Sequence, residues 1–293
     1  MTTQPRQHSR RSLLTHTALG AAGTLVAGAY AGAVDPEPRA RGRIKQSICK
    51  WCYGKMSVEE LARHAAQLGY RSIELLAPKD WATVKRFGLT CAICTGTGPI
   101  TIKSCLNRKE NHGPCIAELR KNIELAAEAG VPSVICFSGN RDGMPDDVGL
   151  DHCAQALEQV VGLAEKKRVN VCMEILNSKV NHKDYMFDRM DWGVELVKRV
   201  GSPRFGILYD IYHAQIMEGD VIRTIRTHHE HILHYHTGGN PGRNEIDRTQ
   251  ELNYTAIVKA IVETGYTGYL GQEFIPKRDP VESLAQAFAI CDV

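Results

Sequence analysis

The sequence predicts an α/β chain in which one (β/α)8 TIM barrel occupies residues 44–293 as a single domain. Three observations carry this. From Ile44 onward, short apolar and β-branched runs alternate with longer runs of helical period. About 250 residues is the usual length of such a barrel. No G-x-G-x-x-G follows the first apolar run, as a doubly wound dinucleotide-binding sheet would carry. Of the 293 residues, 43% are hydrophobic and 24% charged, which excludes disordered, collagen-like and coiled-coil chains.

Eight strand runs are predicted, at residues 44–51, 72–76, 90–95, 133–138, 170–176, 205–211, 232–237 and 269–274. After the first, Ser57 and Glu60 make a capping box ahead of Leu61, Ala65 and Leu68, and Gly69 stops that helix. The later helices are placed at 116–129, 148–167, 192–200, 221–228, 254–263 and 281–290. Gly130 and Pro132 end the first of these.

The first 33 residues read as an export signal. Arg10 and Arg11 precede an uncharged stretch from Ser12 to Ala33, rich in Ala, Gly, Leu and Val, with small-residue patterns at its end. The paired arginines fit the twin-arginine route, which carries folded proteins to the periplasm or beyond. A retained membrane anchor is the alternative reading of the same stretch. Cleavage would leave no stable membrane insertion, and residues 34–43 would form a linker. The net charge is +3 with Arg6, Arg10 and Arg11 included, so without the leader the balance is zero. A neutral domain gives no electrostatic case for a nucleic-acid partner, which counts against a metal-dependent nuclease. A homo-oligomer is compatible with the chain.

Ten cysteines in an exported chain invite a disulfide framework. Five of them, Cys49, Cys91, Cys94, Cys136 and Cys172, sit in apolar runs, where a thiol behaves as a small core residue. Cys49/Cys52 and Cys91/Cys94 have zinc-site spacing, but each pair falls within a strand run, where residues three apart face opposite sides.

A barrel places its chemistry at the C-terminal ends of its strands. Glu174, Asp210, His236 and Glu273 stand there in four successive runs, at intervals of 36, 26 and 37 residues. Buried carboxylates are costly unless paired or metal-bound. Three of them with one imidazole suit a single divalent cation, Mn²⁺ or Mg²⁺ first, with Co²⁺ or Zn²⁺ also compatible. Glu74 is read as a group behind these ligands, Trp51 as a core or substrate-packing side chain, and His182 with Lys183 as a solvated loop, with closure over the barrel mouth as the alternative. His228, His229, His231 and His234 are assigned to a helix end and strand start.

Several segments resemble the hydroxypyruvate isomerase branch of the xylose isomerase-like TIM barrels. They are Tyr209-Asp210-Ile211-Tyr212-His213-Ala214-Gln215, the run from His236 to Glu245, Leu252-Asn253-Tyr254, and Gly265 through Pro276. The resemblance covers about residues 44–292. It implies that Glu174, Asp210, His236 and Glu273 bind the metal, that Glu174 and Glu273 are also the catalytic acid/base pair, and that His213 and Arg243 bind substrate. A substrate carboxylate would suit Arg243; a solvated loop arginine is its alternative. Hydroxypyruvate isomerases often have Gln where His236 stands, whereas ketose epimerases have His. The activity implied is isomerisation of a small hydroxy-carbonyl compound, such as hydroxypyruvate or tartronate semialdehyde, through an enediolate. A ketose 3-epimerase or keto-sugar-processing enzyme on the same site is the alternative, and an exported, non-catalytic sugar-binding protein is the alternative of another class.

Overall fold

A computed structural model describes residues 42–96, 98 and 100–293. The export segment 1–33 and all but the last two residues of the linker 34–43 lie outside the described residues. Those last two are tied down rather than free: the Gly42 amide donates to Asp292 and the Arg43 guanidinium to the Val293 carbonyl. Among the described residues no helix is long and apolar enough to cross a membrane.

Seven parallel strands form one curled sheet: β1 (Lys45–Cys49), β2 (Ser72–Glu74), β3 (Ser133–Cys136), β4 (Asn170–Glu174), β5 (Phe205–Asp210), β6 (Ile232–Thr237) and β7 (Tyr269–Gln272). Their order is β2-β1-β7-β6-β5-β4-β3. The predicted strand at 90–95 is not a full ladder. Thr90 bridges Ser72, and Cys94 bridges both Leu76 and Val134, so this segment lies between β2 and β3 and joins the sheet's two edges. Side chains take part of the pairing here: the Ala92 amide donates to Ser72 Oγ, and the Cys91 thiol to the Ile93 carbonyl. That departure from regular backbone pairing reduces the eighth strand to bridges.

The strands are buried on both faces, as parallel strands flanked by helices must be. The helices are α1 (Val58–Leu68), α2 (Pro78–Arg86), α3 (Lys109–Ala129), α4 (Asp146–Lys167), α5 (Met190–Val200), α6 (Ile211–Met217), α7 (Val221–His228), α8 (Tyr254–Glu263) and α9 (Pro280–Cys291). The capping box forms: Ser57 Oγ accepts from the Glu60 amide, and Gly69 closes α1 with φ at 94°. α3 starts seven residues before its predicted start and runs through Gly113 and Pro114. Neither α2 nor α6 was among the helices predicted. α6 follows β5 with no loop, because Asp210 is at once the last strand residue and the helix N-cap, accepting from the His213 amide.

All ten cysteines are free and buried. Cys49/Cys52 does not lie within one strand as predicted. The chain turns at Lys50 into a 3-10 helix, Lys50–Tyr53, which swings Trp51 to the barrel mouth with 48% of its surface exposed.

Candidate functional site

Four strands deliver the four residues that the barrel argument singled out. Glu174 ends β4, Asp210 ends β5, His236 is the penultimate residue of β6, and Glu273 follows β7 directly. Asp210 and His236 pair across β5 and β6, and the Glu273 amide continues the ladder to the Thr237 carbonyl. That register puts all four heads at one end of the barrel. One donor atom from each lies within 4.8 Å of the others, and all four residues are buried. His236 Nδ1 faces this cluster, 2.7 Å from Glu273 Oε2 and 3.3 Å from Glu174 Oε1.

Arg243 is not a solvated loop residue; it is only 8% exposed. The Gly239–Asn244 bridge folds its loop back over the barrel end, with Arg243 at a φ of 56°. Its Nη2 contacts Asp210 Oδ2 at 2.7 Å and also reaches Glu273 Oε2. Its guanidinium lies 5.4 Å from the Trp51 ring and 5.2 Å from the Tyr212 ring. The Trp51 indole donates to Glu273 Oε1 at 2.6 Å, so Trp51 meets a site carboxylate rather than the core. His213 is fully buried. Its Nδ1 lies 3.1 Å from the Asn177 backbone nitrogen, and its Nε2 accepts from Arg243 Nη1 at 2.6 Å. Both ring nitrogens of His213 are thus engaged by protein groups, and its visible task is to hold Arg243.

The environment separates the two glutamates. Burial and the neighbouring Glu273 push the Glu174 carboxyl up. Burial pushes Glu273 the same way, but Arg243 and His236 outweigh it and hold Glu273 well below the ordinary range. Burial raises Asp210 well above its usual value, despite Arg243. Two carboxyls pushed apart in this way can serve as acid and base at one pH.

A cavity of about 430 Å³ opens above the cluster. Trp51, Glu174, His182, Arg243 and Glu273 form its polar side, and Leu75, Ile102, Ile135, Phe137 and Leu176 its apolar side. His182 lines this cavity instead of standing in solvent, while Lys183 is exposed as expected. A larger concavity, about 800 Å³ along residues 246–255 and α9, shares no lining residue with the cluster.

The residues missed from sequence lie behind the cluster. His234, set aside among its neighbouring histidines, points inward two residues before His236 and donates to Glu74. The period-two alternation of β6 was the available signal. Asn177 had none, since its role depends on where α6 places His213.

The frame around Arg243 and Glu273 is fixed by Glu245. Its Oε1 accepts from the Lys277 amide at 2.8 Å, the Arg278 amide at 3.0 Å and Ser283 Oγ at 3.1 Å. Burial pushes this carboxyl up, yet the amides of Arg278 and Lys277 and the Ser283 hydroxyl lower it overall. Glu245→Ala is expected to cost about 2–3 kcal/mol, the loss of several bonds to one charged acceptor. Because the folded value is depressed, that contribution is present above the unfolded carboxylate value of about 4.3 and fades as pH falls through the folded one. Denaturant melts of wild type and variant at neutral and acidic pH measure this; equal gaps at both pH values contradict it.

Known proteins supply the remaining comparison. The family model described as "Xylose isomerase-like TIM barrel" matches residues 62–291. A human protein provisionally named a hydroxypyruvate isomerase is 24% identical over 240 residues, covering 80% of each chain. The 2-oxo-tetronate isomerase of Cupriavidus necator is 26% identical over 228 residues, covering 73% of this chain and 85% of its own. A crystal structure titled as an AP endonuclease, family 2, from Brucella melitensis superposes with a TM-score of 0.72 at 23% identity, covering 83% of this chain and 98% of that one. That structural likeness shows the fold alone, but the family match spans most of the barrel and includes every residue of the carboxylate–imidazole cluster: this chain belongs to the xylose isomerase-like TIM barrel family.

Proposed function

We propose that this chain is a divalent-metal-dependent isomerase of a small hydroxy-carbonyl or sugar-like substrate. One observation carries the reading: three buried carboxylates and an imidazole nitrogen converge at the catalytic end of the barrel. The donor set fits a cation. Three acidic groups face a single guanidinium, and oxygen donors with one nitrogen suit Mn²⁺ or Mg²⁺ and admit Co²⁺ or Zn²⁺. Glu174, Asp210, His236 and Glu273 would hold it. When bound, it would polarise the substrate's carbonyl and acidify the adjacent C–H. The names of the two curated relatives support the reaction class.

The protein groups then divide the work. Glu273, held ionised by Arg243, takes the proton from the carbon beside the carbonyl. Glu174, which faces the same cavity from β4, relays a proton to the neighbouring carbon as the enediolate collapses. Arg243, fixed by His213 and flanked by Trp51 and Tyr212, binds a substrate oxygen or carboxylate. The half-apolar wall keeps water from the carbanionic intermediate. A second reading, ketose epimerisation on the same groups, is favoured by the cavity: about 430 Å³ is within the range that holds drug-sized ligands and leaves room beyond a three-carbon acid.

Chelation followed by a two-arm assay tests both. The metal-free protein is expected to lose deuterium exchange into hydroxypyruvate and into ketoses, and added Mn²⁺ to restore it. Restoration with hydroxypyruvate alone favours the isomerase, and with ketoses alone the epimerase. Exchange that survives exhaustive chelation sinks the metal-dependent reading. Bound metal with no exchange on any substrate leaves the non-catalytic binding protein. We propose also that residues 1–33 direct export by the twin-arginine route. The supporting features are Arg10, Arg11 and the uncharged run after them. Mass spectrometry of the N-terminus from a periplasmic fraction tests this, and an intact Met1 in the cytoplasm contradicts it.

A further inference from the structure

We propose that Glu74 is a positioning residue for the metal centre, selecting which nitrogen of His236 is left to bind the cation. The inference rests on the metal reading above and concerns groups one layer deeper in the barrel. Glu74 ends β2 and is fully buried. Its Oε1 lies 2.8 Å from His236 Nε2, 3.0 Å from His234 Nε2 and 3.4 Å from Cys49 Sγ. Its other oxygen, Oε2, has no hydrogen-bond partner among the described residues. An oxygen approached by two ring nitrogens and a thiol acts as the acceptor, so the Nε2–H of His236 points at Glu74.

The consequence follows from imidazole chemistry. A neutral ring has one N–H and one lone pair. Nδ1 faces Glu273 Oε2 at 2.7 Å and Glu174 Oε1 at 3.3 Å, so without a cation it too shares a proton with a carboxylate; a cation would take the place of that proton, and with the hydrogen kept on Nε2 by Glu74 the lone pair left for it is on Nδ1. The opposite tautomer would set a lone pair against Glu74 Oε1 and put an N–H where a ligand atom is needed. A carboxylate behind a ligating histidine orients its ring and raises its basicity in this way.

The barrel has room for this pair at one place only because a side chain is missing there. Gly271 on β7 pairs with His236. A Cβ at Gly271 would fall 2.2 Å from Glu74 Oε1 and 2.8 Å from His236 Cδ2.

The test is Mn²⁺ binding to metal-free protein, followed by the electron-spin-resonance signal of free Mn²⁺, together with ¹⁵N NMR of the Zn²⁺-loaded wild type. Glu74→Gln keeps the side chain's shape but can turn an amide N–H toward His236; it is expected to bind Mn²⁺ about 10- to 100-fold more weakly. The NMR spectrum of wild type is expected to show the His236 proton on Nε2 and the metal-shifted nitrogen as Nδ1, a signature that loss of packing would not produce. Unchanged Mn²⁺ affinity in Glu74→Gln, or a proton on Nδ1 in the loaded wild type, overturns the proposal. If the variant does not fold, the wild-type spectrum decides alone. Failure of the wild type to bind Mn²⁺ overturns the metal reading itself, and is thereby told apart from failure of the Glu74 assignment.

Discussion

Glu174→Gln is expected to lower deuterium exchange into an α-hydroxy ketone by about 10²- to 10⁴-fold, the range that one positioned acid or base contributes. The fold should survive. Glu174 closes β4 through its backbone, and the Tyr185 hydroxyl binds its carbonyl, so the strand end does not depend on the carboxyl. In the metal-free protein the variant should melt no lower than wild type. Glu174 is raised by burial and by Glu273, and an amide in its place relieves both. A group that costs stability and supplies rate marks a functional site rather than a structural one. Exchange measured by proton NMR beside thermal melts separates the two quantities. Retention of most of the exchange rate in Glu174→Gln would falsify the acid assignment.

The fold was legible because two periodicities recur along the chain. Apolar runs mark the strands, and the spacing of Leu61 and Ala65 behind Ser57 marks a helix with its cap. The site was legible for a related reason: an acidic residue ending an apolar run has no structural need to be there, and Glu174, Asp210 and Glu273 each end one. What stayed hidden depends on partners distant in sequence. The bridges at 90–94 form partly through Ser72, a side chain on another strand. The first turns of α3 run through Gly113 and Pro114, residues of low helix propensity that give no local helical signal. Arg243 was named as a substrate-binding residue, but its loop of Gly, Asn and Pro left a solvated arginine as the alternative; its burial requires Trp51 from the first strand's turn and Tyr212 from α6. His234 was hidden among other histidines, although its spacing from His236 placed both on one face.

Arg243→Met is expected to destabilise the metal-free protein by about 3–5 kcal/mol, the cost of stripping one partner from a buried ion pair. The guanidinium meets Asp210 and Glu273 at once, so its loss leaves three buried acidic groups with no guanidinium to balance them. At about 2–4 °C per kcal/mol for a chain of this size, the melting point should drop by roughly 10 °C. Methionine retains bulk between Trp51 and Tyr212, so the effect reports charge more than packing. A divalent cation addresses the same carboxylates and supplies the missing charge. Added Mn²⁺ should therefore recover most of the loss in the variant, about 2.7 kcal/mol at a hundredfold excess over Kd. Wild type should gain less, because Arg243 already balances Asp210 and Glu273 before the ion arrives. Melts of both proteins, with chelator and with Mn²⁺, give the four values required. A variant whose melting point is indifferent to Mn²⁺ would show that the cation is not held by Asp210 and Glu273. A loss of the same size in both conditions would assign Arg243 a packing role instead of an electrostatic one.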